Sequence, residues 1–522
     1  MKQKYKKLAI LGIVLLCLVG GLTYAANYVV SQKLEAALAD LSPTVKVTYK
    51  DLHVALWGGD VWLSKPKVVL SGKTTGKTLL DAQLQTIELN DLSYWDYIVH
   101  NEITAKNLNV VKLIATYNHN PVVTRSSYEQ SFLEGLTQNI TIESLALKQA
   151  DILIKNAVND SVILSASDLN FKISELKIKG EAQNKDEKLE YKSYHLQTKA
   201  LNFAANPYED LAIDSVDITN HTARLSGFQF RTKYSKPEYD AVLKKERDHF
   251  KVLIKDIKLQ DLDFGFNQEE RFYFTSKSVL LNTPKAEIYR NKLLPDDTST
   301  KLLYSRMLRD LDFQLGLETL KIKNGTLSYL EKVKVDEPAG RLDFTEMNAR
   351  IWHLGNTFLD EDTVISINTQ FMDSATLNVD WNFKVADSTD QFIFKADLQN
   401  FKASELAQFT KPNLNVDLQG ELQQTYFTIG GDSRLGQIDL KVNYDDFKVA
   451  ILRKDGKEKN KLLSTLVNLF VSKDSDDEKN NYRFGHSESV ERDTTKSVFN
   501  FVWLNIKAAL LSAMAGDGEK ES

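Results

Sequence analysis

"ETLKIKNGTLSYLE" (residues 318–331) alternates apolar and polar positions, breaks at Asn324-Gly325, and then alternates again. A period of two puts every second side chain on one face of an extended strand, so Leu320 and Ile322 share a face, as do Leu327 and Tyr329. Asn-Gly between two such runs is the strongest short-range hairpin signal, because both residues reach positive φ at little cost. The expectation is a tight two-residue hairpin in which Leu320 and Ile322 answer Leu327 and Tyr329. A unit this small cannot bury its own apolar face, so it needs neighbours.

Neighbours of the same kind occur along the chain. Aligned on Leu320 and Ile322, "ESLALKQADILI" from 143, "DSVDITNHTARL" from 214, "KDIKLQDLDFGF" from 255 and, more weakly, "KNLNVVKLIATY" from 106 repeat the pattern. Their spacing is irregular, which makes a degenerate repeat rather than a solenoid of fixed period. A plain succession of antiparallel hairpins would generate the same words, and both readings lead to a large sheet. From about Lys46 the period of two dominates. In "LNVDWNFKV" (377–385), Leu377, Val379, Trp381, Phe383 and Val385 lie on one face, with Asn378, Asp380, Asn382 and Lys384 on the other. The runs Phe392, Phe394, Ala396, Leu398, then Leu414, Val416, Leu418, and Ile438, Leu440, Val442, Tyr444 do likewise. Consecutive strands with one apolar face predict a mainly β, elongated, curled antiparallel sheet, a β-groove, with few helices.

Those helices are an extension of the N-terminal apolar segment to about Leu41, an amphipathic "KLLSTLVNLFVSK" (461–473), and a last one from Thr494 or Thr495 to about Ala515, stopped by Gly516. "SKDSDDEKNN" reads as a charged linker and "EAQNKDEKLEYK" (181–192) as an exposed turn or loop. The chain thus divides into a cytoplasmic start (1–7), a transmembrane anchor (8–30), a helical linker (31–45), a repetitive β-groove region (46–330), a C-terminal β region (331–452) and a tail of amphipathic helices around the charged linker (453–522).

The anchor rests on an uncharged run of 23 residues from Leu8 to Val30, with Leu8, Leu15, Leu18, Val29 and Val30 among its apolar side chains. As a helix it spans about 35 Å, enough for a hydrocarbon core of ~30 Å. Lys2, Lys4, Lys6 and Lys7 ahead of it keep the N-terminus in the cytoplasm and send the remainder across. A cleaved signal peptide is the alternative, because "LTYAAN" supplies small residues, but the apolar run continues past that point. Cys17 is the single cysteine of the 522 residues, so a disulfide within the chain and a thiolate metal site are excluded. The net charge of −5 argues against nucleic acid as a partner.

Chemical motifs are scarce. "LSGKTTGKT" (70–78) places three residues between Gly72 and Gly76 where a phosphate loop needs four, and it reads as a hairpin turn. "GGDSRLG" (430–436) lacks a nucleophile elbow and falls between two strands. The eight histidines never come within four residues of one another, which removes the usual metal-ligand spacings. Acidic clusters such as "PDDTST" and "SDDE" lack the ladder and glycine of a calcium loop. Trp57 and Trp62 are read as core, with the membrane surface as the alternative. No catalytic, metal or cofactor site is expected, and the chain is read as a non-enzyme.

"GRLDFTEMNARIWHLGN" (340–356) and "LNVDLQGELQQTYFTIGGDSRLGQIDLKVNYDDFKVAIL" (414–452), preceded by "FIFKADLQNFKASELAQF", resemble the C-terminal part of AsmA-like proteins, including the related DUF748 group. Gly340, Phe344 and Ile351 match a strand-turn-strand piece, Gly420 a turn, and Gly436, Tyr444, Phe447 and Val449 the final hairpin. A lysine-flanked anchor followed by "TIELNDLSYWDYIVHNEITAKNLNVVKLIATYN" is similar to that family too. The resemblance implies a periplasmic protein anchored in the inner membrane of a Gram-negative bacterium, with a curled sheet around a hydrophobic groove. It also implies a part in phospholipid movement and outer-membrane integrity, and it brings no catalytic motif.

An apolar sheet face without helices to cover it must be buried against another sheet, itself, or something other than protein. The expected function is lipid binding or conduction, with Leu377, Val379, Trp381, Phe383, Phe392, Phe394, Val416 and Leu440 as candidate groove lining against acyl chains. The expected partners are a phospholipid or other lipid, the inner membrane, and envelope proteins of the periplasm or outer membrane. An anchored scaffold for outer-membrane protein assembly, pairing its sheet edge with partner strands, is the competing expectation.

Overall fold

The computed structural model describes residues 27–28, 31–32, 35–36, 44–55, 57–72, 77–120, 138–180, 189–451 and 482–515. The anchor residues Leu8, Leu15, Leu18, Val29 and Val30 and the 461–473 helix lie outside them. Among the described residues no helix is long and apolar enough to cross a membrane. The protein is mainly β, with 62% strand and 13% helix. It divides into two compact units, one of residues 1–205 and 212–220, the other of 206–211 and 221–522. The division falls inside the stretch 46–330 that the sequence pattern treats as one region.

The first unit holds β1 (Val45–Thr48), β2 (Asp51–Ala55), β3 (Asp60–Ser64), β4 (Lys67–Ser71), β5 (Thr78–Gln83), β6 (Thr86–Asn90), β7 (Ile103–Val111), β8 (Ile114–His119), β9 (Ile140–Asn156), β10 (Val162–Ile178), β11 (Leu189–Glu190) and β12 (Ser193–Ala204). β13 (Glu209–Thr219) contributes residues to both units. The second holds β14 (Thr222–Thr232), α1 (Lys236–Val242), β15 (His249–Phe266), β16 (Phe272–Asn282), β17 (Lys285–Asn291), α2 (Tyr304–Arg309), β18 (Gln314–Lys332), β19 (Gly340–Gly355), β20 (Asp362–Phe371), β21 (Ala375–Lys384), β22 (Phe392–Lys402), α3 (Ala407–Leu414), β23 (Val416–Gly431), β24 (Leu435–Ile451), β25 (Arg483–Glu491) and α4 (Val498–Ala515).

"ETLKIKNGTLSYLE" is not a hairpin. Residues 314–332 form the single strand β18, which pairs along its length with β19 and slips in register between Ile322 and Leu327. A two-residue turn of the expected type needs positive φ at both central residues, whereas Asn324 has φ 51° and Gly325 is not in the left-handed region. One left-handed residue makes a β-bulge, which bends a strand and does not reverse it. The other repeated words do the same: Lys112, Gln149 and Asp261, at the position aligned with Asn324, have φ of 51°, 58° and 48°. In the segment from 214 the aligned residue is Asn220, where β13 gives way to β14 and the chain does turn.

The bulges line up across neighbouring strands. In the first unit Lys65 N–H donates to Gln85 O, Gln85 N–H to Val111 O, and Lys112 N–H to Lys148 O, next to Gln149. In the second, Thr283 N–H donates to Lys323 O beside Asn324, and Glu346 on β19, at φ 50°, faces the same break. Further along, Gly420 at φ 90° approaches so closely that a Cβ would sit 2.4 Å from Asp446 O. Asp446 itself has φ 45°.

The expectation of a purely antiparallel sheet fails at two places. β7 and β8 run parallel to β9, and β16 and β17 run parallel to β18. A parallel neighbour requires the chain to return to the starting end, and residues 292–313, carrying α2, make that return in the second unit. Across 72–77, between the antiparallel strands β4 and β5, Gly72 N–H donates to Lys77 O. Asp432 N–H donates to Leu435 O in the turn between β23 and β24. Trp57, expected in the core, is 82% exposed at the β2–β3 turn, where Gly58 and Gly59 end the strand pair.

Across β18 and β19 the buried Asp343 carboxylate accepts from Ser328 Oγ at 2.5 Å and from Arg341 Nε at 2.7 Å. Burial alone would raise its pKa, but the Arg341 and Ser328 contacts outweigh that and hold it below the ordinary carboxylate value. A folded-state pKa below the unfolded one adds stability above about pH 4, which is lost as pH falls through the folded value. Asp343→Asn is therefore expected to lower stability at neutral pH and to flatten the loss of stability below about pH 4. Urea titrations at stepped pH check it, and parallel curves for the two proteins would refute the assignment.

Candidate functional site

The register of the first unit assembles the repeated apolar pairs into rows. Leu52, Leu63, Ile87, Val110, Leu147, Phe171 and Leu196 are successive cross-strand partners, and Val54, Val61, Leu89, Leu108, Leu145, Ile173 and Tyr194 form a second row beside them. Seven strands at ~4.8 Å each make a continuous apolar band about 29 Å long. Beyond the line of bulges two further rows follow: Val47, Val68, Ala82, Ala115, Ile152 and Ala166, then Val45, Leu70, Leu80, Tyr117, Ile154 and Leu164. The intervening row on the opposite face reads Trp62, Glu88, Asn109, Ala146, Lys172, His195, which is mostly polar.

Burial differs within the apolar face. Ala82, Ala115, Ala150 and Ala166, next to the bulges, are between 0% and 8% exposed. Leu108, Val110, Leu145, Leu147, Phe171, Ile173, Tyr194 and Leu196 remain half-buried. Among the described residues no helix packs along β9, β10 or β12.

The candidate lining residues read from the sequence fall in the second unit, and there the face is covered. Ile365, Trp381, Phe394, Ile429 and Ile438 form one row, and Ile367, Val379, Ala396, Phe427 and Leu440 the next. Val379, Trp381, Phe383, Phe392, Phe394 and Leu440 are buried in one cluster with Val498, Phe501, Val502, Ala509 and Ala513 of α4, and Leu377 packs against its margin. Val416 is buried too, at the start of β23 and apart from that cluster. The structure therefore gathers most of the named side chains, but under protein. The rows left half-open are those of the first unit, whose signal in the sequence is the repeated pair of apolar residues one position apart.

α4 also closes the edge of the second unit. His486 N–H, on the outer side of β25, donates to Ser512 Oγ at 3.2 Å, and Arg483 Nε donates to Ala513 O at 2.7 Å. An edge strand dressed in this way cannot template another strand at those positions.

Charged groups form a separate centre around α1. Glu209, 1% exposed, accepts from Arg247 Nη2 at 2.7 Å, and Arg290 grips Asp248 with two bonds of 2.6 and 2.7 Å. Asp240 accepts from Tyr289 Oη at 3.2 Å and Asn291 Nδ2 at 2.8 Å. Burial and the Asp240 carboxylate push the Tyr289 hydroxyl up to about 12, so it remains a donor at any physiological pH. Each of these carboxylates is engaged by a cation, hydroxyl or amide, and the cluster acts as a clasp between 206–211, 236–249 and 289–291. An open depression of about 590 Å³ lies at the β21–β24 end, lined in part by Asp387, Asp432 and Lys384. Its carboxylates serve their own turns: Asp387 accepts from Thr389 N–H and Asp432 from Arg434 N–H. Among the described residues no group of three or more His, Cys, Asp or Glu side chains could hold a metal ion.

No protein-family model matches this chain, and no curated protein matches it.

Proposed function

We propose that the protein binds lipid hydrocarbon in a β-groove formed by the curled sheet, as a periplasmic protein anchored in the inner membrane by residues 8–30. The observation that carries this reading is the band of apolar side chains across β2, β3, β6, β7, β9, β10 and β12, half-buried apart from Val54 and Leu63, with no helix among the described residues along β9, β10 or β12. At ~25 cal/mol per Å² of apolar area, a band about 29 Å long is costly to leave in water. Acyl chains would remove that cost with no directional bonds, while the polar opposite face stays hydrated.

The buried alanines beside the bulges support a curl toward the apolar side. Small side chains are enclosed at the inside of a bend, and the larger ones flanking them line its walls. The likeness of 340–356 and 414–452 to AsmA-like envelope proteins points the same way and suggests phospholipid as the ligand.

The test is lipid capture. Photo-crosslinking residues placed at Leu147 and Phe171 in the full chain are expected to yield lipid adducts by mass spectrometry. The same residues at Lys172 and His195, on the opposite face, should yield none. Absence of lipid at all four positions, with none co-purified, would overturn the reading. Protein adducts at Leu147 and Phe171 instead would favour an assembly scaffold.

A further inference from the structure

Part of the outer surface of α4 is left exposed above the sheet. Phe499 and Trp503 stand one turn apart on one face, 58% and 52% exposed, and Lys507 continues the stripe. Beside them α2 exposes Tyr304 and Met307, at 36% and 49%. The rings of Tyr304 and Phe499 lie 5.2 and 6.4 Å from that of the buried Trp381, so the two helices present one patch around it. Across 498–515 Lys507 is the only charged residue. A helix this apolar on both faces has spent only one of them on its own protein.

We propose that the α2–α4 patch docks on a lipid bilayer at the depth of the headgroups. The inference rests on the lipid reading above, and it names where the protein meets a membrane besides the anchor. Trp and Tyr beside a lysine are the side chains that favour the interface, since each pairs an apolar body with a polar tip. The Lys507 stem lies along the apolar stripe while its ammonium reaches lipid phosphates. α4 lies chiefly against β25 and β24, with Phe499 and Phe501 reaching Trp381 and Phe392, so docking there brings the covered end of that face to the lipid.

Cys17 is the only cysteine, so a Cys17→Ser background allows single labels. Full-length Phe499→Cys and Trp503→Cys, carrying an environment-sensitive fluorophore, would be placed in phosphatidylethanolamine/phosphatidylglycerol nanodiscs. Brominated lipid serves as quencher, either in the disc or in added vesicles of the same composition, which tells the anchoring membrane from a second one. Labels at Val335→Cys and Leu359→Cys, 74% and 58% exposed in the wild type, are the controls. Quenching at 499 and 503 is expected to exceed the controls roughly twofold or more in one arm. Quenching no greater than the controls in both arms overturns the proposal. A signal that grows with protein concentration and ignores the quencher overturns it in favour of self-association. Lipid captured at Leu147 and Phe171 with 499 and 503 unquenched sinks the docking surface alone, and the reverse result sinks the groove alone.

Discussion

Gly485→Val is expected to lift α4 from the sheet. A Cβ at this position of β25 would lie 2.0 Å from the Ala509 carbonyl oxygen and 3.0 Å from the Ala513 Cβ. The nearer obstacle is helix backbone, so no change of rotamer relieves the clash and one element must move. Phe501, Ala509 and Ala513, all at 0–1% exposure, lose their contacts with the sheet when it does. The cost is about 3 kcal/mol or more, at or beyond the upper end for overpacked cores. The interface has little slack, since Trp381 Nε1, Thr425 Oγ1 and Asn505 Oδ1 are buried there without hydrogen-bond partners. With two units in the chain a single global unfolding energy is ill-defined, so the direct measurement is local. Hydrogen exchange should show protection lost over 498–513 with β9 and β10 unchanged, and retained protection would refute the close seating of the helix. The same variant uncovers the rows through Trp381 and Val379, so lipid co-purification should rise if the groove reading holds.

What covers a face was the part of the candidate site that the sequence could not reveal. Alternation in 377–385 says that Val379, Trp381 and Phe383 need burial, and they are 8%, 6% and 5% exposed. A period of two is silent on whether lipid, a sheet or a helix provides that burial. The last helix was also legible from its apolar run after Thr494 and Thr495, yet nothing local says that Gly436 and Gly485, far apart in sequence, make the hollow it fills. The parallel junctions at β9 and β18 escaped for a related reason, since strand direction depends on the path of the connection and not on the strand's own residues.

The misread hairpin has a different cause. Asn-Gly marks a place where the backbone enters the left-handed region, and four of the five aligned words, all but the one from 214, share that conformation. A left-handed residue serves a turn when its neighbour joins it, and a bulge when it stands alone. The discriminating fact is whether a partner strand continues alongside. At Asn324 it does: β19 pairs with β18 on both sides of the slip. Lysine, glutamine and aspartate at the equivalent positions carry weaker turn signals than Asn-Gly, and their common conformation is visible only in the folded chain.

That conformation sets up a second large effect, in the variant with Lys112, Gln149, Asp261 and Asn324 all replaced by valine. An L-residue in the left-handed region costs about 1–2 kcal/mol, and a β-branched one is a clear outlier there. The wild-type side chains already carry part of that cost, so the valine increment is the β-branched excess, about 1 kcal/mol per site. Lys112 and Gln149 fall in the first unit, Asp261 and Asn324 in the second, so each unit loses about 2 kcal/mol if the sites add. That is a substantial part of the 5–15 kcal/mol typical of a folded domain, and the fourfold valine chain should melt several degrees lower in each unit than the wild type. The fourfold glycine chain keeps every left-handed residue permitted and should fold with native exchange protection in β9, β15 and β18. If the four positions were ordinary strand residues the order would reverse, because valine favours strands and glycine weakens them. A valine chain as stable as the wild type would therefore remove the bulges, and with them the bend on which a groove depends.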